Sequence, residues 1–600
     1  MQAASLTSPQ YREISTDCNS AGFSGRDNLQ NASLHRSETM SADNLGCQCP
    51  IEASRYRIVR DLENASTSDL LDSNRRFILR NDIRSVLNNY RVGQHLRLLF
   101  PTDVCRRMVT YISPRGEEKC HCQQQFCTGS RLIFASLIRQ GFESRMHLLL
   151  GEEQTGLCDA VVASSKLVKV HPLFAELTDP QWERFGNDYW RFQSYHFQNT
   201  NLANEGFETL DDRAALPLLN AVRQNRRIVN DNASSTTLGE SPTIIRHVSL
   251  HPGAHELGQP EDSFALKTFR KQQFGLGKMH FEREAHANQK APRHDRIVPL
   301  LKAFKYRNEF HLIFPWAENG DLFELWRRNP RGAISNGAQT AAYNTQWLVD
   351  ECLGIAEGLA AIHTQTDVRN PQLHADIKPR NILCFQAGKN STPNVVLKLA
   401  DFGYTRDVEL NGTLPVVTHT KTYRPPDHDI EETIHLKYDV WCLGCVYLEF
   451  ITWAVLGFQA IDDFRTERTK ETSDLYTSEA RGEDIEDTFF KKRARVPGWY
   501  HLENIRFQTK KSTEIISKKS TTRKRNFQIN RKGVQISGEV KKSVTQHISK
   551  LKQNPGCAMK LQAFLEFIER KMLAIDIEGR ASSQEVTTFI RGLANQPPVS

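Results

Sequence analysis

Asp376, Lys378 and Asn381 lie within six consecutive positions of LHADIKPRNILCF, and Asp401 follows 25 residues after Asp376 in KLADFGYTR. A carboxylate can orient a hydroxyl, and an ammonium can meet an anion in transit. An amide oxygen and a second carboxylate are hard oxygen ligands suited to Mg²⁺. Together these are the parts that phosphoryl transfer requires, because its catalysis is mostly positioning and charge neutralisation. NILCF and VVLKLA flank the intervening stretch as strand-like runs, and a hairpin between them would bring Asp376, Asn381 and Asp401 to one mouth.

The elements that must position them follow an order. IIRHVSL (244–250), SFALKTF (263–269), IVPLLKAF and FHLIFPW read as short strands. From about Gln346 the texture is helical, with Leu348, Cys352, Ile355, Leu359 and Ile362 on one face. A small β-rich part therefore precedes a larger helical part. The run VWCLGCVYLEFITWAVLGFQAI (440–461) is long enough to span a bilayer, with Glu449 as its only charge. A mid-span carboxylate is costly in lipid, and a helix buried on all sides in a water-soluble core has the same composition.

Residues 237–591 resemble a eukaryotic protein kinase domain of the serine/threonine type. The resemblance implies an α+β, bilobal fold, with a small β-rich lobe over 237–318 and a larger helical lobe over 319–591. It implies ATP and Mg²⁺ as cofactors and a protein as substrate. Under it, Asp376 matches the catalytic-loop base, Lys378 the phosphate-contacting lysine, Asn381 the second metal ligand and Asp401 the metal ligand of the DFG turn. Lys267 matches the strand lysine on the α- and β-phosphates, with Ala265 beside it in the nucleotide site and Glu284 of FEREAHA as its ion-pair partner. Phe314 falls at the gatekeeper, Pro315 to Ala317 at the hinge, and Asp321 at a ribose contact. Asp427 of TKTYRPPD stands where the activation segment usually ends in Glu, and would pair with Arg580. Asp439 heads the buried helix, which sets the membrane reading aside. Lys378 two residues after the base, and Thr420 three before Tyr423, follow the serine/threonine pattern. IFPWAENGDL, GIAEGLAAIH and WCLGCVYLEFITW further resemble a set of filamentous-fungal kinases with a helical N-terminal region.

Three departures qualify that likeness. The phosphate loop retains only Gly239 in TLGESPTIIRHVSLHP, with Ile244 where the nucleotide-capping Val usually sits, and Pro242 removes a backbone donor. Ala375 replaces the arginine of HRD, so a phosphorylated activation loop has no evident partner and the chain reads as a non-RD kinase. Asp427 is one methylene shorter than the usual Glu. The alternative reading is a pseudokinase that serves as a scaffold or binding module.

The rest of the 600 residues bounds the organisation. Residues 1–69 read as disordered, 70–218 as a helical region, 219–236 as a linker and 592–600 as a tail, with a polar and basic insertion at about 459–552. Residues 491–552 hold eighteen Lys and Arg against Glu503, Glu514 and Glu539, while the whole chain nets only +8. The total charge therefore does not argue for a nucleic-acid partner. KKSTEIISKKSTTRKR (510–525) has the form of a nuclear-import signal, with a solvated loop as the plainer reading. Thirteen cysteines and no secretory pattern at the N-terminus imply a reducing, intracellular and cytoplasmic setting. Cys120, His121, Cys122 and Cys127 match metal-ligand spacing only loosely, and free thiols are the plainer reading. Oligomeric state is not legible.

Overall fold

The computed structural model describes residues 49–596, apart from 72–75, 115–128, 151–156, 160–161, 163–170, 199–206, 221–242, 259–262, 271–275, 330–342, 365, 367–369, 389–392, 409–413, 416–420, 432, 472–486 and 496–534. Gly239, the cysteine cluster at 120–127 and the basic stretch 510–525 lie outside the described residues.

The N-terminal region is built of helices α1 (Pro50–Asn64), α2 (Arg80–Val86), α3 (Asn89–Leu96), α4 (Thr102–Ile112), α5 (Arg131–Arg139) and α6 (Asp179–Phe192), with a small hairpin of β1 (Ser66–Ser68) and β2 (Arg76–Ile78). Ile58, Leu62, Ile83, Leu96, Met108 and Phe134 share its core with Phe185 and Tyr189 of α6. α1 corrects the expectation of disorder up to residue 69. Its buried stripe consists of Ile58 and Leu62 alone, too sparse to stand out in a polar sequence, and Pro50 at its first turn begins it.

The small lobe is a six-stranded sheet in the order β3-β7-β8-β6-β5-β4. It comprises β3 (Glu208–Thr209), β4 (Leu218–Asn220), β5 (Thr243–Leu250), β6 (Ser263–Phe269), β7 (Lys302–Tyr306) and β8 (Glu309–Pro315), with helix α7 (Leu276–Lys290) between β6 and β7. Two of these strands lie ahead of residue 237. The stretch expected to be an interdomain linker therefore begins inside the sheet, and β4 pairs with the far half of β5, Leu218 opposite Leu250. Strands of two or three residues carry too little alternation to be read from sequence.

The large lobe contains α8 (Leu322–Arg328), α9 (Thr345–His363), the pair β9 (Gln372–Leu373) and β12 (Arg406–Asp407), and the hairpin β10 (Ile382–Phe385) with β11 (Val396–Leu399). The pair β13 (Leu414–Pro415) and β14 (Thr433–Ile434) flanks α10 (Pro426–Ile430). Helix α11 (Lys437–Leu456) is buried along almost its whole length, with Trp441, Tyr447, Phe450 and Trp453 in the largest core. Its apolar composition thus serves the inside of a lobe. Around it stand α12 (Gln459–Lys470), the hairpin β15 (Phe490–Arg495) and β16 (Gln535–Val540), α13 (Lys542–Lys552), α14 (Met559–Phe567) and α15 (Ser583–Ala594).

Much of the expected insertion at 459–552 is therefore core. Ile461, Phe464, Phe490, Val544, Ile548 and Leu551 are all buried. Its charges are paired within it and to the rest of the lobe: Lys491 meets Glu471 at 2.7 Å, and Lys492 meets Asp429 of α10 at 2.9 Å. Glu471 also accepts from the backbone of Lys542 and Ser543.

Asp427 and Arg580 form a fully enclosed ion pair at 2.7 Å. Removing one member of a buried pair leaves an uncompensated charge, at a cost of about 3–5 kcal/mol. Asp427→Ala should therefore lower the unfolding temperature of the large lobe markedly, whereas Asp427→Leu combined with Arg580→Met should recover most of the loss. Differential scanning calorimetry of the full chain checks both.

Candidate active site

The catalytic loop is held from beneath by one side chain. Asp439 sits in the first turn of α11 with no exposed surface. Its carboxylate accepts from the backbone N–H of His374 at 2.7 Å and of Ala375 at 2.8 Å. Nε2 of His363, at the end of α9, lies 2.9 Å from the same carboxylate. Ala375 adopts a left-handed backbone, φ 65°, which turns the chain just ahead of Asp376. His374 reaches across to the carbonyl of Ala400 at 3.1 Å, and its ring packs against Phe402 at 5.2 Å.

The β10–β11 hairpin brings the remaining groups in. Ile382 pairs with Leu399, and the Ala400 amide donates to the Asn381 carbonyl at 2.9 Å, so Asn381 and Asp401 leave the hairpin side by side. Nδ2 of Asn381 donates to the Asp376 carbonyl at 2.8 Å and to its carboxylate at 2.9 Å. That commits the amide nitrogen and leaves the amide oxygen as a lone-pair donor. Lys378 meets the Asp376 carboxylate at 2.8 Å. Burial pushes the Asp376 carboxyl above its usual range, and the Lys378 ammonium opposes that shift only in part.

Across the cleft, Lys267 on β6 contacts both oxygens of Glu284 on α7, at 2.7 and 2.8 Å, and Asp401 at 3.1 Å. Burial disfavours the Lys267 ammonium, but Asp401 and Glu284 outweigh it and hold its pKa above the ordinary value. Desolvation likewise works against the Asp401 charge, and Lys267 overcomes it, so Asp401 remains below its usual range. Asp401 also has a left-handed φ of 65°. A Cβ at Gly403 would lie 3.1 Å from the Asp401 carboxylate and 3.3 Å from that of Glu284, so a side chain there would press on both carboxylates.

Lys267, Glu284, Lys378, Asn381 and Asp401 line one cavity of about 650 Å³, together with Ala265, Val298, Phe314, Ala317 and Leu383, and Asp376 adjoins it through its contacts with Lys378 and Asn381. Such a volume lies within the range of small-molecule and cofactor sites, roughly 300–1,000 Å³. Asp321 is on its wall, but its side chain caps α8 by accepting from the Glu324 amide at 2.8 Å, and burial pushes its carboxyl up to about 6. Ile244 is not on the wall. Ile245, opposite Lys267 in the β5–β6 register, and His247, opposite Ala265, are. Alternation across the pleat sends Ile244 to the other face.

His247 is a site residue that sequence reasoning missed. Its ring stacks on Trp316 at 3.9 Å and its Nε2 lies 2.6 Å from the Ser263 hydroxyl. Counting forward along β5 by two from Ile245, the position facing Lys267, would have found it.

The cavity continues past Thr422 and Tyr423 to a charged cluster on the large lobe. Tyr423 donates to Glu449 at 2.8 Å, and Arg468 bridges Glu449 at 3.0 Å and Asp487 at 2.8 Å. The Arg468 guanidinium lies 4.2 and 4.1 Å from the ring centroids of Phe464 and Phe489. Asp429 in turn gathers Arg424, His428 and Lys492, all within 2.9 Å, and ties the end of the activation segment to β15.

Residues 258–589, more than half of the chain, match the sequence model of the protein kinase domain, and the chain belongs to that family. It is 27% identical over 161 residues to human "Cyclin-dependent kinase-like 4", a match covering 27% of this chain and 36% of that protein. It is 27% identical over 162 residues to "Serine/threonine-protein kinase nekl-2" of Caenorhabditis elegans, covering 27% and 42%. It is 29% identical over 181 residues to "Receptor protein-tyrosine kinase CEPR1" of Arabidopsis thaliana, covering 29% and 17%. The matched stretch thus spans well under half the length of each of these relatives.

Because Asp439 is the common acceptor for two loop amides, Asp439→Asn presents an NH₂ group where only acceptors fit. Hydrogen bonds to charged groups contribute about 1.5–3 kcal/mol each. The variant should lose about 2–3 kcal/mol of local stability, read as faster amide exchange at His374 and Ala375 with α9 little changed.

Proposed function

We propose that the protein transfers the γ-phosphate of ATP to a serine or threonine hydroxyl of a protein substrate, as a non-RD kinase. The observation that carries this reading is that two bonded sets, Lys267 with Glu284 and Asp401, and Asp376 with Lys378 and Asn381, meet at a single cavity. A pseudokinase has no need to retain both sets intact. In this reading Lys267 meets the α- and β-phosphates, Asp376 orients the substrate hydroxyl and accepts its proton, and Lys378 faces the group in transfer. Asp401 and the Asn381 oxygen are the hard ligands that would hold Mg²⁺, whose charge would offset that of the phosphates. Burial pushes the Glu284 carboxyl up to about 7, whereas Asp401 is held as a carboxylate beside Lys267, which suits it to a bound cation. Lys378, two residues after Asp376, favours serine or threonine over tyrosine, while the named relatives include kinases of both kinds.

Ala375 bears on regulation. No arginine stands beside Asp376 to receive a phosphorylated loop residue, and the segment end is already secured by Tyr423–Glu449 and by Arg424 and Lys492 on Asp429. Basal activity independent of loop phosphorylation follows.

Asp376→Asn should abolish phosphoryl transfer while Mg·ATP binding, followed by calorimetry, stays within a few-fold of wild type. Transfer at a near-normal rate would refute the assignment, and no transfer by the unmodified chain would favour the scaffold reading. The pH profile gives a second check. Asp376 works as a carboxylate and its pKa is raised by burial, so kcat/KM should fall on acidification at a pH above the ordinary aspartate range near 3.8. An acid limb at or below that value would contradict the role.

A further inference from the structure

Helix α7 carries Glu284; its C-terminal half is tied to the large lobe by Lys290 on Asp407 and Gln372 on the Ala287 carbonyl, and its hold on the small lobe is aromatic. Among its described side chains, Phe281 is the one large apolar group that is buried; Met279 and His286 are exposed, and Glu284, Ala285 and Ala287 complete the buried face. Phe281 is one helical turn before Glu284, so whatever fixes the Phe281 ring also fixes the carboxylate that meets Lys267. Its ring packs on Phe310 at 4.9 Å and Phe269 at 5.8 Å, both from the sheet. Its nearest aromatic partner, at 4.7 Å and edge-on, is Phe207, which comes from ahead of the small lobe and also lies 5.1 Å from the His286 ring.

Phe207 is held in place by its own segment. The following residues, Glu208 and Thr209, form β3 and run parallel to Phe304 and Lys305 of β7. The Leu210 amide donates to the Lys305 carbonyl at 2.9 Å, and Glu208 receives Lys302 at 2.9 Å and the Tyr195 hydroxyl at 2.6 Å. Leu210 is buried with Phe197 and Phe304 in one cluster, and Phe207 packs on another with Phe281. Side chains alternate across a strand, so the segment straddles the sheet edge, anchored on one face and presenting Phe207 to α7 on the other.

We infer that Phe207 is a positioning residue for the Lys267–Glu284 pair, and that the segment around β3 is a built-in strap that holds α7 against the cleft. This deepens the kinase reading and rests on it for its catalytic consequence, though not for its structural one.

The test uses the full chain as wild type, Phe207→Ala, Phe207→Leu, Glu284→Gln and the Phe207→Ala/Glu284→Gln double variant. The first readout is amide exchange, which needs no catalysis. Phe207→Ala should speed exchange across 276–290 by tenfold or more, Phe207→Leu should restore most of the protection, and α11 should be unchanged. The second readout is phosphoryl transfer at saturating Mg·ATP. Phe207→Ala should lower kcat at least tenfold with the KM for protein substrate within twofold. In the Glu284→Gln background the same change should cost less than twofold, because two residues acting through one contact are not additive. Unchanged exchange in α7, faster exchange throughout the chain including α11, or a full tenfold loss repeated in the Glu284→Gln background would each overturn the inference. If wild type transfers no phosphate while α7 exchange responds as stated, the kinase reading fails and the strap stands.

Discussion

The carboxylate of Asp439 is the point on which the cleft depends. A loop carries function because it can take irregular shapes, and for the same reason it lacks a lattice of its own to fix it. Here two successive amides of the catalytic loop end on one buried acceptor, and that acceptor belongs to a helix enclosed on all sides. Burying a lone carboxylate is expensive, and the cost is offset only because the loop amides and His363 turn toward it. The loop and the helix therefore stabilise each other, and the left-handed turn at Ala375 is held by bonds made at the residue itself and its neighbour.

The small lobe is governed by a different constraint. Lys267 and Glu284 come from separate elements, a strand fixed by pairing on both sides and a helix fixed mainly by aromatic packing. The ion pair is strong when formed, but it does not itself determine where the helix lies. Geometry in this half of the cleft is set by apolar contacts around Phe281, and electrostatics act on top of it. The large lobe is fixed by hydrogen bonds to a buried charge, so the two halves of one site owe their order to different forces.

This division explains what could be read from sequence. Asp376, Lys378, Asn381 and Asp401 were legible because chemistry demands those types at short spacing, within a loop and the hairpin that follows it. Lys267 with Glu284, and Asp427 with Arg580, were reached only through the likeness to a family, since nothing local links positions 17 or 153 residues apart. Ile244 and Ile245 are both apolar in TIIRHVSL, and only the pairing with β6 puts Ile245 on the face of Lys267. The core role of 541–552 was hidden by lysines on the outer face of α13, although Val544, Ile548 and Leu551 keep helical spacing beneath them. β3 could not be read at all, for a Glu-Thr dipeptide is a strand only because β7 lies beside it.

The family match begins at residue 258, yet the sheet does not. β3, β4 and β5 all precede that point, and Phe197, Leu210, Leu216 and Leu218 cover the face formed by Phe264, Leu266, Phe304 and Ile313. A chain cut where the resemblance starts would turn the Lys267 strand into an unpaired edge and lay that apolar face bare, a surface suited to self-association. On this chain the stretch matched by the family falls short of the sheet that completes its small lobe.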